Sequence, residues 1–197
     1  MMTPVAIDRA EAVRHALIRL VARDGFHGTS MAAVAKEAGV ATGTAYVHYA
    51  SKDELVMATY VEVKHDVGEA ALASVDPDSS LREQFAQLWT GVQKHLEANP
   101  DRARFLVQAD SSPYAEIAHE RAISAVDDPL MSSPVVANLL EEMVDLPPEV
   151  LFDLAMGPVV RLTAIRRGID ESLVDTLIEA CWRAVTDSRS STFRRRR

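Results

Sequence analysis

Apolar residues along this chain recur mostly at helical spacing, and strict strand-like alternation is scarce. Val13, Leu17, Leu20 and Val21 form one stripe, predicting a helix over residues 7–24 that stops at Gly25. Thr29 or Ser30 can cap a second, short helix whose apolar face is Met31, Val34, Ala35 and Ala38. Gly39 ends it, and Val40 is an apolar plug for the turn. A third short helix is predicted over 42–49. Ser51 and Glu54 then make a Ser-x-x-Glu box that opens a long helix reaching Ala73.

Beyond that helix, Asp76-Pro77-Asp78-Ser79-Ser80 reads as a linker. Leu81, Phe85, Leu88, Trp89, Val92 and Leu96 share one face of a helix ending near Ala98, and Asn99-Pro100 opens the next. Pro113, Pro129 and Pro134 break up residues 110–135, which carry no firm pattern. Two stronger helices are predicted over 148–167 and 171–188, separated by Gly168, with Pro158 kinking the first. The basic tail 191–197, ending in Arg194–Arg197, is read as disordered. The expected fold class is all-α.

Composition removes several function classes. Apolar residues make up 48% and charged residues 25%, as in an ordinary globular protein. No apolar run approaches the length of about 18 residues that spans a bilayer, and the N-terminus lacks a signal-peptide core. A cytoplasmic protein without membrane partners is expected. Cys181 is the only cysteine, which excludes an intrachain disulfide framework and any multi-thiolate zinc site. The histidines His15, His27, His48, His65, His95 and His119 show no i, i+4 pairing, so no metal or cofactor is expected. No nucleophile motif or phosphate-cradling glycine loop supports an enzyme. The net charge of −8 argues against a generally basic surface, yet residues 1–57 hold six Lys/Arg against six Asp/Glu. Any contact with nucleic acid is therefore sought in that neutral segment.

Two short helices about a glycine turn, behind a longer helix, have the helix-turn-helix layout. Gly39 permits the left-handed backbone of the turn, and Ala35 and Ala38 let the helices approach. The third helix then stands out from the surface, where it can enter a major groove. Other helical pairs share this pattern, so periodicity alone leaves DNA binding as one reading among several.

The literal residues narrow the choice. Thr29, Val34, Ala35, Ala38, Gly39, Val40, Gly43, Thr44, Tyr46, His48, Tyr49, Lys52 and Leu55 stand in the register of a recurrent pattern. It reads Ala-Gly-Val, then Gly-Thr-x-Tyr-x-His-aromatic and Lys-x-x-Leu. In this the chain resembles the TetR family of transcriptional regulators, over the first quarter of its length. The resemblance implies a three-helix DNA-binding domain over 1–57 and a larger helical domain over 58–190 that binds ligand and dimerises. It also implies roles. Thr29 would hold a phosphate at the start of the second helix. Tyr46, His48 and Lys52 would meet backbone phosphates, and Thr44 a phosphate or a base edge.

Two departures shape the expectation. Ala41 stands where such motifs usually have serine, leaving Thr42 to take over the cap. The recognition segment Thr42–Tyr49 has no Lys or Arg, so it cannot make bidentate arginine contacts to guanine. Thr42, Thr44, Ala45 and Val47 offer hydroxyl and methyl contacts instead, including contacts to thymine methyls, within a partly shape-based readout. Plainer readings stand beside these: Tyr49 as core, His48 as a groove filler, Lys36 as a solvated charge.

In the C-terminal body, Phe85, Trp89, Phe105, Met143, Phe152, Met156 and Trp182 can line a pocket or simply form core. Arg161 interrupts an apolar stretch; it binds an anionic ligand group or, as the favoured reading, pairs with an acid such as Asp153. The last two helices carry Leu151, Leu154, Ala155, Leu162 and then Val174, Leu177, Ile178, Cys181, Trp182, Val185. That is more apolar surface than one packing face needs, and pairing with a second copy would bury it in a four-helix bundle. The function expected is a repressor that binds a palindromic duplex operator as a homodimer and leaves it when a small-molecule effector binds. After an enzyme as the main rival class and a metal or haem protein as the second, a helical module with a decayed DNA-binding head is the third rival, weakly suggested by Ala41 and the uncharged recognition segment.

Overall fold

The computed structural model describes residues 8–123, 128–165 and 168–186. Its regular elements are all helices: α1 (Arg9–Asp24), α2 (Met31–Glu37), α3 (Thr42–His48), α4 (Lys52–Leu72), α5 (Leu81–Ala98), α6 (Pro100–Asp110), α7 (Ala115–Ile123), α8 (Pro134–Glu142), α9 (Pro148–Ala155), α10 (Gly157–Ile165) and α11 (Glu171–Val185). A single isolated bridge, Met143 to Thr186, is the only extended pairing among the described residues. The all-α expectation holds. The tail with Arg194–Arg197, and the helix ends expected at 7, 167 and 188, lie outside the described residues.

The helices pack as two compact units. Residues 8–64 and 104–123 form one, and residues 65–103, 128–165 and 168–186 form the other. The first unit is therefore discontinuous: it takes in the end of α6 and α7, which a linear division at residue 57 leaves with the rest of the chain.

In the first unit α1 buries Val13, Ala16, Leu17, Leu20 and Val21, the stripe legible from spacing. Asp8 caps its start, accepting from the Ala10 N–H at 3.3 Å, and Gly25 ends it with φ 72°. Phe26 just beyond packs on Phe105 (ring centroids 5.9 Å apart) and on Tyr114 (5.2 Å). Phe105 is thus core of this unit, not part of a pocket in the C-terminal body as expected. The α6 helix runs on past Ala103 and delivers Phe105 to Phe26.

In the second unit, Ser80 and Glu83 form a reciprocal capping box at the start of α5. The expected linker is tied down rather than loose. Gln84 Nε2 donates to the Pro77 and Ser79 carbonyls at 2.9 and 2.8 Å, and Gln87 accepts from the Asp76 N–H at 2.8 Å. Gly91 lets α5 lie directly on α4: a Cβ there would come within 2.8 Å of the Ala70 carbonyl oxygen. The helix expected over 148–167 is two helices, broken at Met156. Pro158 lacks an N–H, and its ring would clash with the Leu154 carbonyl in a continuous helix, so the chain restarts at Gly157.

Candidate nucleic-acid interface and effector cavity

The α2–α3 pair is built as its sequence requires. Ser30 rather than Thr29 caps α2, its Oγ accepting from the Ala33 N–H at 3.2 Å. Thr29 is 4% exposed and donates its hydroxyl hydrogen to the Gly25 carbonyl at 2.8 Å. The expected phosphate contact from its side chain is therefore corrected: the hydroxyl is buried and already used. Gly39 adopts φ 70°, and the Val40 N–H closes the turn onto the Ala35 carbonyl at 2.9 Å. Ala41 is the N-cap of α3 and makes no side-chain bond. Thr42 is the first helical residue, so it does not take over the cap.

On α3 the exposed positions are Thr42, Gly43, Tyr46, Val47 and His48; Thr44 is half-buried. Val47 is 82% exposed and its neighbour Tyr46 is 49% exposed, so two apolar side chains turn outward together. Ala45 is fully buried against the other helices of the unit, so its expected base contact is corrected as well. Positions i, i+1, i+4 and i+5 from Thr42 make one continuous outward stripe.

The inward side of α3 is held from behind. Tyr49 is buried, and its hydroxyl accepts from Arg14 Nη1 at 2.6 Å and donates to the Ala10 carbonyl at 3.3 Å. Arg14 also donates through Nε to Glu62 of α4. Burial pulls the Arg14 guanidinium down, and its bonds to Tyr49 and Glu62 outweigh that, leaving it above its ordinary value. Lys52 donates to the Phe26 carbonyl at 2.6 Å, which fixes it at the start of α4 with donor capacity to spare. Glu54 accepts from the Ala50 N–H at 2.7 Å while the Glu54 N–H donates to Ser51 Oγ, so the predicted box closes one residue early.

Tyr114 belongs to this unit without any signal in the residues around it. Its hydroxyl donates to Asp53 at 2.8 Å, and burial with that bond pushes the phenol up to about 12. A tyrosine among serines and a proline in an unpatterned stretch carries no signal that would have placed it there.

The second unit encloses an apolar cavity of about 100 Å³. Of the residues proposed for a ligand pocket, Phe85, Met143, Phe152 and Met156 line it, together with Val67 and Leu139. Trp89 and Arg161 do not. Trp89 is fully buried one position round α5 from the lining residue Leu88, with its indole beside Cys181. Arg161 is exposed, and no ion pair links it to Asp153 among the described residues. Burial pushes the Cys181 thiol up, the opposite of an activated nucleophile. His65, Asp66 and Glu69 lie close enough to share an ion, but Asp66 is engaged by Arg102.

The expected dimer residues divide. Leu151 and Ala155 face the cavity, and Ile178, Cys181 and Val185 are buried within the unit, so these five are corrected to internal core. Trp182 packs against Phe85 in a tilted arrangement, ring centroids 5.2 Å apart. Leu154 is exposed, while Leu162, Val174 and Leu177 are half-buried. Ile165 and Leu173 are 65% and 45% exposed. Leu173, Leu177, Ala180 and Ala184 form an open apolar stripe on α11 at spacings of four, three and four, and Pro158, Leu162 and Ile165 a shorter one on α10.

Comparison with known proteins settles the family. Residues 13–59 match the N-terminal model of the bacterial regulatory proteins of the tetR family, and residues 80–186 match the model described as a tetracyclin repressor-like C-terminal domain. The chain belongs to the TetR family. It is 30% identical over 192 residues to an uncharacterized HTH-type transcriptional regulator of Haemophilus influenzae, covering 93% of this chain and 99% of that protein. A crystal structure of a TetR-family transcriptional regulator from Haemophilus influenzae has 26% identity and a TM-score of 0.72, covering 91% and 97% of the two chains. The regulator FadR of Bacillus subtilis, solved in complex with stearoyl-CoA, shares the fold at 16% identity with a TM-score of 0.68, covering 88% and 98%. As a TetR-family member the chain is a helix-turn-helix transcriptional regulator. No helix among its described residues is long and apolar enough to cross a membrane.

Proposed function

We propose that this chain is a homodimeric repressor that reads a palindromic operator with α3 and releases it when a small molecule fills the cavity of the second unit. It works as a regulator rather than an enzyme, beside the chromosome in the cytoplasm. The observation that carries this reading is the division of α3 into two faces. Val47, Tyr46 and Thr42 stand in solvent while Ala45 is buried and Tyr49 is anchored to Arg14. Val47 stands 82% exposed beside the exposed Tyr46, and a helix seated in a major groove can set its methyl pair against thymine.

The contacts assigned are Val47 and Thr44 to base edges, with Thr42, Tyr46, His48 and Lys52 to backbone phosphates. The open apolar stripes on α10 and α11 support pairing with a second copy, because the small Ala180 and Ala184 let helices approach closely. Two recognition helices on a two-fold axis then meet half-sites about one helical turn apart. The effector acts by its differential affinity for the conformation that binds DNA poorly. FadR of Bacillus subtilis, with its bound stearoyl-CoA, is a precedent for an effector with a long apolar part.

The test is duplex binding against salt, with the DNA upstream of the chain's own coding region as probe. Log affinity should fall with log salt with a slope of several units. Val47→Asp should cost about tenfold or more and flatten the preference over random duplex. Wild-type affinity in the Val47→Asp and Tyr46→Ala variants would remove the assigned face.

A further inference from the structure

Tyr114 has no assigned contact with DNA, yet it closes a ring of contacts around Lys52. Its aromatic ring packs on Phe26 with centroids 5.2 Å apart, and its hydroxyl donates to Asp53 Oδ1 at 2.8 Å. The Phe26 carbonyl in turn accepts from Lys52 Nζ at 2.6 Å and from the Thr29 N–H at 3.3 Å. Lys52 and Asp53 are neighbours in the first turn of α4. One tyrosine therefore grips both the turn that receives the lysine and the acid beside it.

Tyr114 is itself tied down on its own side. Its N–H donates to Ser112 Oγ at 3.1 Å, and that hydroxyl donates to the Ala109 carbonyl of α6 at 2.7 Å. With its pKa at about 12, the phenol stays protonated near neutral pH and remains a donor to the carboxylate.

Asp53 needs such a hold. It is exposed, and no ion pair restrains it among the described residues, although His27 and Arg121 line the same cleft. Lys52 does not restrain it, because adjacent residues on a helix do not face each other. A free carboxylate one residue from a lysine that meets a phosphate repels that phosphate, within a screening length of about 8 Å at physiological salt. Glu54, the other acid of this turn, is bound to the Ala50 N–H at 2.7 Å. Asp53 is left to the tyrosine.

We propose that Tyr114 is a positioning residue for DNA binding. Through Phe26 it holds the carbonyl that aims Lys52, and through its hydroxyl it keeps the Asp53 carboxylate off the phosphate that Lys52 receives. This deepens the assignment of Lys52 to a backbone phosphate and rests on it.

Duplex binding by the full chain tests it in a double-mutant cycle, with the same upstream DNA as probe. Tyr114→Phe keeps the ring on Phe26 and loses only the bond to Asp53. Affinity should fall about fivefold, the effect of one net hydrogen bond. Adding Asp53→Asn should restore it to within about twofold of wild type, because the freed side chain then carries no charge. In a Lys52→Ala background, Tyr114→Phe should cost nothing further, since the contact it supports is already gone. A merely structural tyrosine would act additively with Lys52→Ala and would gain nothing from Asp53→Asn. Unchanged affinity in Tyr114→Phe, a loss that Asp53→Asn leaves in place, or full additivity overturns the proposal. Lys52→Ala alone is the control and should lower the salt slope by about one unit. With that slope lowered, failure of the cycle sinks this inference alone. A wild-type slope in Lys52→Ala, or a wild-type chain that ignores every duplex, sinks the underlying reading and this inference with it.

Discussion

Arg14 and Tyr49 meet 2.6 Å apart, the guanidinium of α1 donating to the phenol that ends α3. Through the same guanidinium, Glu62 of α4 is drawn in, so three helices converge on one cation. The angle at which α3 leaves the unit is set by this junction. It touches no DNA.

Tyr49→Phe removes the junction's central oxygen and leaves the ring in place. The expected loss is about 1 kcal/mol of stability, the usual net value of a part-buried hydrogen bond. Operator affinity should fall severalfold while its salt slope stays unchanged, because no phosphate contact is lost. A reduced slope in this variant would place Tyr49 on the DNA after all.

Gly91→Ala puts a methyl 2.8 Å from the Ala70 carbonyl oxygen and 2.9 Å from the Ala71 Cα. Both are backbone atoms of α4 and cannot rotate aside, so α5 must shift. Overpacking of this kind costs about 1–3 kcal/mol. Urea unfolding should show a lower midpoint. Stability at or above wild type, as helix propensity alone predicts for Gly→Ala, would contradict the close approach.

His95 on α5 has its Nε2 buried without a hydrogen-bond partner among the described residues, and burial holds its pKa below the ordinary 6.5. The unfolded chain then takes up a proton at a higher pH than the folded one. The contribution of neutral His95 is complete above pH 6.5 and is lost as pH falls from there through the folded-state value. The unfolding midpoint should drop over that range, and His95→Phe should flatten the drop. An equally steep loss in the variant would assign it to other groups.

Ile165 and Leu173 are the most exposed large apolar residues of α10 and α11. Substituting both with glutamate should leave helix content unchanged and turn a dimer into a monomer by sedimentation. Operator affinity should fall with it, because a single half-site remains. A variant that sediments as wild type would move the interface off these helices.

Where a pattern is local, the residues disclosed the structure. Each helix from α1 to α5 follows from spacing and caps, because a side chain's periodicity and an N-cap's hydroxyl act within a few residues. The glycine turn at Gly39 and the outward Val47 belong here too. Ala45 and Thr29 show where this stops. Both lie within the stretch the motif covers, as Val47 does, yet they point inward, since a motif's register does not say which face the core takes.

The alphabet of this chain thus determined an all-α body with a helix-turn-helix at its head, since helix formation and capping are settled by near neighbours. Tertiary structure alone decided that Phe105 and Tyr114 cross into the N-terminal unit, and that Leu151 and Ala155 wall a cavity rather than face a partner. Each of these depends on residues far apart in sequence meeting in space. Such contacts are chosen by how whole faces close-pack, and the order of residues along one helix does not contain that information.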